Sequence, residues 1–344
     1  MHDEPVLETP FTAHTGIRVP IICGPMYPCS NPELVAAASS AGGLGIIQPV
    51  SMTFVHGHDF REGIKLIRSI TDKPIGMNAL IEKSSRKYHE RMVEWVDIAL
   101  DEGVRFFITS LGNPRWVVDR VKAYDGIVYH DVTERKWALK GLDGGVDGLI
   151  AVNNRAGGHA GARSQLELLD DLGDLNVPLI CAGGIGSEQQ FSEAIKQGYA
   201  GCQLGTRFIA TTECHAATPY KQAVVNANED DIVLSDRITG VPVSIIKTPY
   251  IDKVGIKAGA FARWMLKGNK TKHWMRMFYM IRSVFQLRKS SLDESGETEF
   301  WQAGKSVSKI KKIESVAVII GRYEAAIESE MVNPQFHEPG HRTL

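Results

Sequence analysis

The chain has 344 residues, of which 43% are hydrophobic and 23% are charged, which suits a large globular core. Its formal net charge of -1 produces no overall positive potential that would attract nucleic acid. The five cysteines form no CxxC pair, and neither a signal peptide nor a membrane-spanning run is apparent. We therefore expect a cytoplasmic protein.

Eight short apolar runs alternate with helical patterns over the first two thirds of the chain. In order, they are Val19–Gly24, Leu44–Gln48, Lys73–Ala79, Val104–Ser110, Gly126–Val132, Val146–Val152, Val177–Gly184 and Ala200–Thr206. Continuous apolar runs are typical of buried parallel strands. Eight strand–helix units predict an α/β fold, a (β/α)8 TIM barrel, with an open doubly wound sheet as the alternative if a strand is miscounted.

The strand–helix rhythm stops near residue 215. We expect the barrel to span residues 1–215 and a helical lid insertion to follow strand eight over 216–300. An amphipathic pattern within residues 301–344 predicts a closing helix and a tail that return to the barrel.

Residues 254–290 carry nine Lys or Arg and no Asp or Glu, interleaved with aromatic residues. Lid packing or a subunit interface is the first interpretation, and steering of an anionic substrate is the second. Contact with anionic lipid or nucleic acid is a further alternative. A homodimer is compatible with the sequence, which does not specify the oligomeric state.

TIM barrels place their chemistry at the carboxyl ends of the strands. The loop after strand six reads AGGHAG, so it places His159 near this end. Histidine suits proton transfer at neutral pH because its ordinary pKa is about 6.5. The alternative is a solvated loop histidine.

Glycine-rich turns follow the last two strands of the barrel. CAGGIGS (181–187) comes after strand seven and QLGTRF (203–208) after strand eight. Phosphate groups bind backbone N–H groups in such turns, since a Cβ would block their approach. Together the two turns predict a phosphate site, whereas either alone would be read as a tight turn.

His130 and Asp131 end strand five. Adjacent strand residues point to opposite faces, which argues against a shared metal. Packing is the better interpretation of this pair, and a position lining the substrate or cofactor is the other. The HGHD stretch (56–59) lacks a clear third ligand, so no metal site is expected.

These motifs together resemble the nitronate monooxygenase family, also called 2-nitropropane dioxygenases. The resemblance rests on Gly24-Pro25-Met26, Asn78, AGGHAG, AGGI and QLGTRF, and it covers roughly residues 10 to 215. It implies non-covalently bound FMN. Gly24, Pro25, Met26, Asn78 and Gly157 would contact the flavin, and Gly183, Gly184, Gln203, Gly205 and Thr206 would hold its phosphate end.

By the same resemblance, His159 is the active-site acid or base. The implied reaction is oxidative denitrification of an alkyl nitronate, or of a nitroalkane, with O2. Flavin-dependent NAD(P)H reductases of quinones or enoyl thioesters share the motifs and are the alternative activity. A flavin- or phosphate-binding barrel without turnover, with a basic lid that binds a partner or membrane, is the alternative of another class.

The chain departs from the family pattern at three positions. Val152 and Arg155 stand where many members have Gln and Glu, and Asp131 stands where some have lysine. These departures bear on substrate identity. Gln48, His130 and Arg155 are the predicted substrate-side residues, and Arg155 would suit an anionic substrate.

Overall fold

The structure is a computed structural model that describes residues 4–82, 85–237, 241–257, 282, 284–295, 298 and 300–331. Eight parallel strands close into a barrel in chain order, and the first strand pairs with both the second and the eighth. They are β1 (Ile21–Cys23), β2 (Leu44–Ile47), β3 (Ile75–Ile81), β4 (Phe106–Leu111), β5 (Ile127–Val132), β6 (Gly148–Val152), β7 (Leu179–Ala182) and β8 (Gly201–Leu204). The predicted TIM barrel is confirmed.

Helices surround the barrel and connect its strands. They are α1 (Pro10–Thr15), α2 (Pro32–Ser40), α3 (Phe60–Ile70), α4 (Arg86–Asp101), α5 (Arg115–Lys122), α6 (Arg135–Asp143), α7 (Gln165–Leu172) and α8 (Glu188–Gln197). A short α9 (Thr206–Ile209) and α10 (Thr218–Asn226) follow β8. Several helices begin where a side chain caps the first turn, as Asp59 does for α3 and Ser164 for α7.

The barrel interior is filled by apolar side chains toward the amino ends of the strands. We call this set the lower layer: Phe11, Ile22, Leu44, Ile46, Phe106, Ile108, Tyr129, Ile150 and Ile180. Phe11 comes from α1, and its ring packs 5.8 Å from those of Phe106 and Tyr129. Residues between these positions, such as Val128 and Val132 on β5, point outward into the core beneath the helices.

The insertion after β8 contains strands as well as helices. β9 (Ile232–Ser235), β10 (Val243–Ile246) and β11 (Trp301–Gln302) form an antiparallel sheet in the order β11-β10-β9. α11 (Pro249–Val254) and a helical segment at 284–292 accompany it. This sheet was not predicted from the sequence, because its strands have two to four residues and β11 lies far along the chain from β10.

The closing helix α12 (Val316–Met331) packs on the barrel helices, with Tyr323 and Phe191 of α8 in edge-to-face contact at 5.3 Å.

Most of the basic segment 254–290 lies outside the described residues. Within the described part of the chain, no helix is long and apolar enough to cross a membrane.

Candidate active site

A polar layer lies directly above the lower layer, at the carboxyl ends of the strands. Inward positions recur every second residue. Asp131 therefore follows inward-facing Tyr129 on β5, and Asn78 lies between Met77 and Ala79, which pack outward. By the same alternation, Gln203 on β8 faces inward, and so does Gln48, which directly follows β2. We call Gln48, Asn78, Asp131 and Gln203 the mouth layer.

Three side chains of the mouth layer have a buried oxygen without a hydrogen-bond partner among the described residues. These atoms are Asn78 Oδ1, Asp131 Oδ1 and Gln203 Oε1. A buried polar atom left unpaired costs about 1–3 kcal/mol, and three such oxygens in one layer could be paired by a ligand or by water. Gln48 differs, since its Oε1 accepts the Ser51 N–H at 2.6 Å.

Asp131 is the most perturbed group in the mouth layer. Burial raises the pKa of its carboxyl from 3.8 to about 7. A carboxyl with this pKa is substantially protonated at neutral pH and can then donate a hydrogen bond as well as accept one. From the sequence, packing is the favoured role for this residue. The alternation from inward-facing Tyr129 was the signal that could have placed it in the mouth.

The turn after β1 approaches Gln203 closely. An added Cβ on Gly24 would lie 2.9 Å from Gln203 Cγ, so only glycine leaves this side chain in place. The following Pro25 and Met26 are half-buried, and Met26 lies close to Gly205 in the turn after β8. The structure therefore brings the first and last strand loops together at the mouth.

The loop after β6 is held by buried Asn153. Its Nδ2 donates to the Gly183 carbonyl at 2.9 Å, and its Oδ1 accepts the Arg155 N–H at 2.8 Å. On the outer side, the Gly158 carbonyl accepts the Ser244 N–H of β10 at 2.8 Å. The barrel and the small sheet thus fix both ends of the stretch that precedes His159.

His159 is exposed to solvent in the loop after β6. Surrounding protein atoms desolvate its ring and lower its pKa below 6.5. The imidazole is therefore mainly neutral at pH 7, with one ring nitrogen free to accept a proton. A neutral, exposed imidazole of this kind suits a general base, because a substrate that enters from solvent can contact its ring nitrogen.

Four of the five residues predicted to hold the phosphate end lie with Gly157 at one corner of the mouth, namely Gly183, Gly184, Gly205 and Thr206, whereas the fifth, Gln203, belongs to the mouth layer. Gly157 is exposed, and Gly183 and Gly205 are partly exposed. An added Cβ on Gly183 (φ +118°) would meet Asn153 and Ala156 of the loop after β6, and one on Gly157 would lie 3.4 Å from Thr206 Oγ1. Thr206 Oγ1 also accepts the Gly304 N–H at 2.9 Å. We call Gly157, Gly183, Gly184, Gly205 and Thr206 the glycine corner.

His130 does not lie at the mouth, and its prediction as a substrate-side residue is wrong. It is 3% exposed and faces outward, because inward Tyr129 and Asp131 flank it on β5. Its Cδ2 would lie 3.0 Å from a Cβ on Gly141 of α6, and its Nδ1 is 2.8 Å from Thr109 Oγ1. Burial lowers its pKa to about 4, so it is a neutral packing residue.

Arg155 lies at the glycine corner rather than over the centre of the barrel. Its side chain covers Gly184, and its guanidinium forms two hydrogen bonds with Glu229, both 2.6 Å long.

Among the described residues, no cluster of three or more His, Cys, Asp or Glu could hold a metal ion.

Comparisons with known proteins agree with this geometry. The sequence model of the nitronate monooxygenase family matches residues 8–323. A (3aS,4S,5R,7aS)-5-hydroxy-7a-methyl-1-oxo-octahydro-1H-indene-4-carboxyl-CoA dehydrogenase of Mycobacterium tuberculosis is 29% identical, over 82% of this chain and 79% of its own. A probable nitronate monooxygenase of Staphylococcus saprophyticus is 27% identical, over 72% of this chain and 81% of its own.

Among solved structures, FabK from Thermotoga maritima superposes with a TM-score of 0.77 at 27% identity, covering 95% of this chain and 98% of its own. Nitroalkane oxidase from Streptomyces ansochromogenes shares the fold, with a TM-score of 0.72 at 21% identity and coverage of 93% and 98%.

A flavin fits the residues of this mouth. Its ring edge offers hydrogen-bond donors and acceptors to the unpaired oxygens of Asn78, Asp131 and Gln203. Its ribityl side would lie toward the glycine corner, where Gly157 is exposed and Gly183 and Gly205 are partly exposed. The family match together with this fit leads to one conclusion: the chain belongs to the nitronate monooxygenase family and is a flavin-dependent oxidoreductase.

Proposed function

We propose that this protein uses FMN and O2 to oxidise alkyl nitronates to a carbonyl compound and nitrite. The observations that carry the proposal are exposed His159 in the loop after β6, with its pKa lowered by desolvation, and the mouth-layer oxygens that have no partner among the described residues. When bound, FMN supplies the acceptor for the electrons that leave the substrate carbon.

His159 acts on the substrate through a ring nitrogen. Its lowered pKa favours the neutral form at pH 7, so it can take a proton from the acidic carbon of a nitroalkane and yield the nitronate. In its protonated form, which the resulting proton transfer creates, the same ring attracts the anion. Both roles suit a small anionic or anion-forming substrate.

Asn78, Gln203 and the glycine corner would hold the cofactor. The amide groups would bond its ring edge, and Gly24 keeps Gln203 in position for that contact. Asp131, protonated for much of the time at neutral pH, would add a hydrogen-bond donor in the same layer. These residues orient the reactants, while His159 moves the proton.

Oxygen uptake and nitrite release test this proposal, with 2-nitropropane and its anion, propyl-2-nitronate, as substrates. We expect the wild-type protein to turn over both, and His159→Ala and His159→Asn to lose turnover of 2-nitropropane, because its carbon proton is no longer removed. Flavin absorbance should remain in both variants. Equal rates in wild type and variants would overturn the proposal.

A second candidate is flavin-dependent oxidoreduction of a CoA thioester, with NAD(P)H as the other partner. Similarity to the carboxyl-CoA dehydrogenase of Mycobacterium tuberculosis supports it, and so does the basic composition of segment 254–290, which suits a phosphate-bearing substrate. Anaerobic mixing with NADH separates the two activities. Rapid bleaching of the flavin favours the second, whereas no bleaching together with nitronate turnover favours the first.

A further inference from the structure

Arg155 occupies a position that depends on the glycine beneath it. An added Cβ on Gly184 would lie 2.7 Å from Arg155 Nε and 2.9 Å from its Cδ. Gly184 also has a φ of +81°, which side-chain-bearing residues rarely adopt. The turn after β7 is therefore shaped to accept this arginine, whose stem buries Gly184 next to partly exposed Gly183.

Glu229 and Lys305 complete a charged cluster with Arg155. Glu229 binds the guanidinium through both oxygens, and Lys305 Nζ lies 3.6 Å from Glu229 Oε1. The Lys305 backbone N–H donates to the Arg155 carbonyl at 2.9 Å. Hydrogen bonds from Arg155, the largest influence, hold the pKa of Glu229 below its usual value. With Glu229 ionised, two cations against one anion leave an excess of one positive charge.

This cluster remains open to solvent. The side chains of Arg155, Glu229 and Lys305 are 32%, 36% and 38% exposed. Ion pairs this exposed contribute little to stability, so the arrangement is poorly explained by folding alone. It does hold the planar guanidinium in one orientation, which reduces the entropy lost when an anion binds.

We propose that Arg155, positioned by Glu229 and assisted by Lys305, binds the phosphate of FMN and makes the protein select FMN over riboflavin. The inference rests on the flavin dependence proposed above and adds the residue that reads the phosphate. Phosphate monoesters carry about −1.5 to −2 charges at pH 7, and a guanidinium matches their oxygens in geometry. The exposed backbone of Gly157 and the partly exposed backbone of Gly183 and Gly205 would face the same group.

The experiment measures the Kd of flavin-free protein for FMN and for riboflavin by quenching of flavin fluorescence. Arg155→Met keeps an unbranched stem over Gly184 and removes the charge. We expect it to weaken FMN binding by about 10- to 100-fold, the usual range for a lost charged hydrogen bond, with riboflavin binding unchanged. Arg155→Lys should restore part of the difference, and Lys305→Met should reduce it less.

Arg163→Met is the matched control. Arg163 ends the same loop and pairs with Asp171 at 2.8 Å, away from the glycine corner. This variant should leave the ratio of the two dissociation constants unchanged. A folded Arg155→Lys with the wild-type ratio would support the role of charge even if Arg155→Met fails to fold.

Three results would overturn the inference while leaving flavin dependence intact. One is equal affinity of the wild type for FMN and riboflavin. Another is an equal loss of affinity for FMN and for riboflavin in Arg155→Met. That result would show that the cluster has only a structural role, in which it joins the turn before β9 to the barrel. The third is unchanged FMN binding with weakened binding of free CoA, which assigns the cations to a substrate phosphate. Wild-type protein that binds neither flavin would instead refute the proposed function.

Discussion

The lower layer and the mouth layer stand on the same strands, yet they differ in how their polar atoms are paired. In the lower layer, the Tyr129 hydroxyl lies 3.0 Å from His14 Nδ1. Two residues further along β5, Asp131 has a buried oxygen without a partner among the described residues. The polar group of the lower layer is paired as folded, whereas the mouth layer keeps oxygens that a ligand could pair. TIM barrels commonly separate stability and chemistry along the strands in this way.

The largest expected effect is on turnover at the mouth. His159→Ala should lower kcat by about 10²- to 10⁴-fold, the usual contribution of a positioned acid or base. Flavin absorbance and the free energy of unfolding should change little, because His159 is exposed. Rates of nitrite formation check this, with His89→Ala, at an exposed histidine of α4, as control. A comparable loss in the control would contradict a specific role for His159.

Next in size is the loss of a lower-layer ring. Phe106→Ala should reduce the free energy of unfolding by about 3–5 kcal/mol, since it opens a cavity beside Phe11 and Tyr129. Chemical denaturation measures the change. Phe54→Ala, at a ring that is 54% exposed, should cost much less. Similar losses in the two variants would break the distinction between interior and surface.

Asp131 makes the stability of the flavin-free protein depend on pH. Its pKa is about 7 when folded and 3.8 when unfolded, so the unfolded chain releases this proton first. The free energy of unfolding should therefore fall as pH rises from about 4 to 7, by up to about 4 kcal/mol from this group. Denaturation of wild type and Asp131→Asn across this range measures the contribution.

The variant should gain stability relative to wild type as pH rises and should lose that advantage near pH 4. Asp143→Asn, at an exposed carboxyl on α6, is the control and should follow the wild-type curve. Parallel curves for wild type and Asp131→Asn would place this carboxyl in a more polar setting than the mouth layer.

The smallest effect concerns the turn after β1. Gly24→Ala should weaken flavin binding by about 10-fold, or roughly 1.4 kcal/mol, because the new Cβ displaces Gln203. Fluorescence titration of the flavin-free protein measures it. Gly321→Ala on α12 has open space around its added Cβ and should leave flavin affinity unchanged. An unchanged Kd in Gly24→Ala would separate Gln203 from flavin binding.

Much of the barrel could be predicted from local pattern. Each of the eight apolar runs overlaps one of the observed strands, because buried parallel strands need continuous apolar segments. The antiparallel sheet could not be predicted in this way. β11 has only two residues, and its pairing with β10 depends on a contact distant in sequence.

In the candidate site, too, some features could be predicted from local pattern and others could not. The glycine turns and His159 could be located because they follow strands whose carboxyl ends must meet. The orientation of individual side chains could not. His130 and Asp131 are neighbours, yet one packs under α6 and the other faces the mouth.

Periodicity and short motifs are enough to predict the barrel, the loops at its mouth and the family resemblance. The folded molecule adds that Asp131 faces inward with no partner for its buried oxygen among the described residues, and that Arg155 pairs with Glu229 above the turn after β7. Burial, strand register and ion pairing are set by groups far apart in the chain. Glu229 lies 74 residues from Arg155, and no local pattern reports that contact.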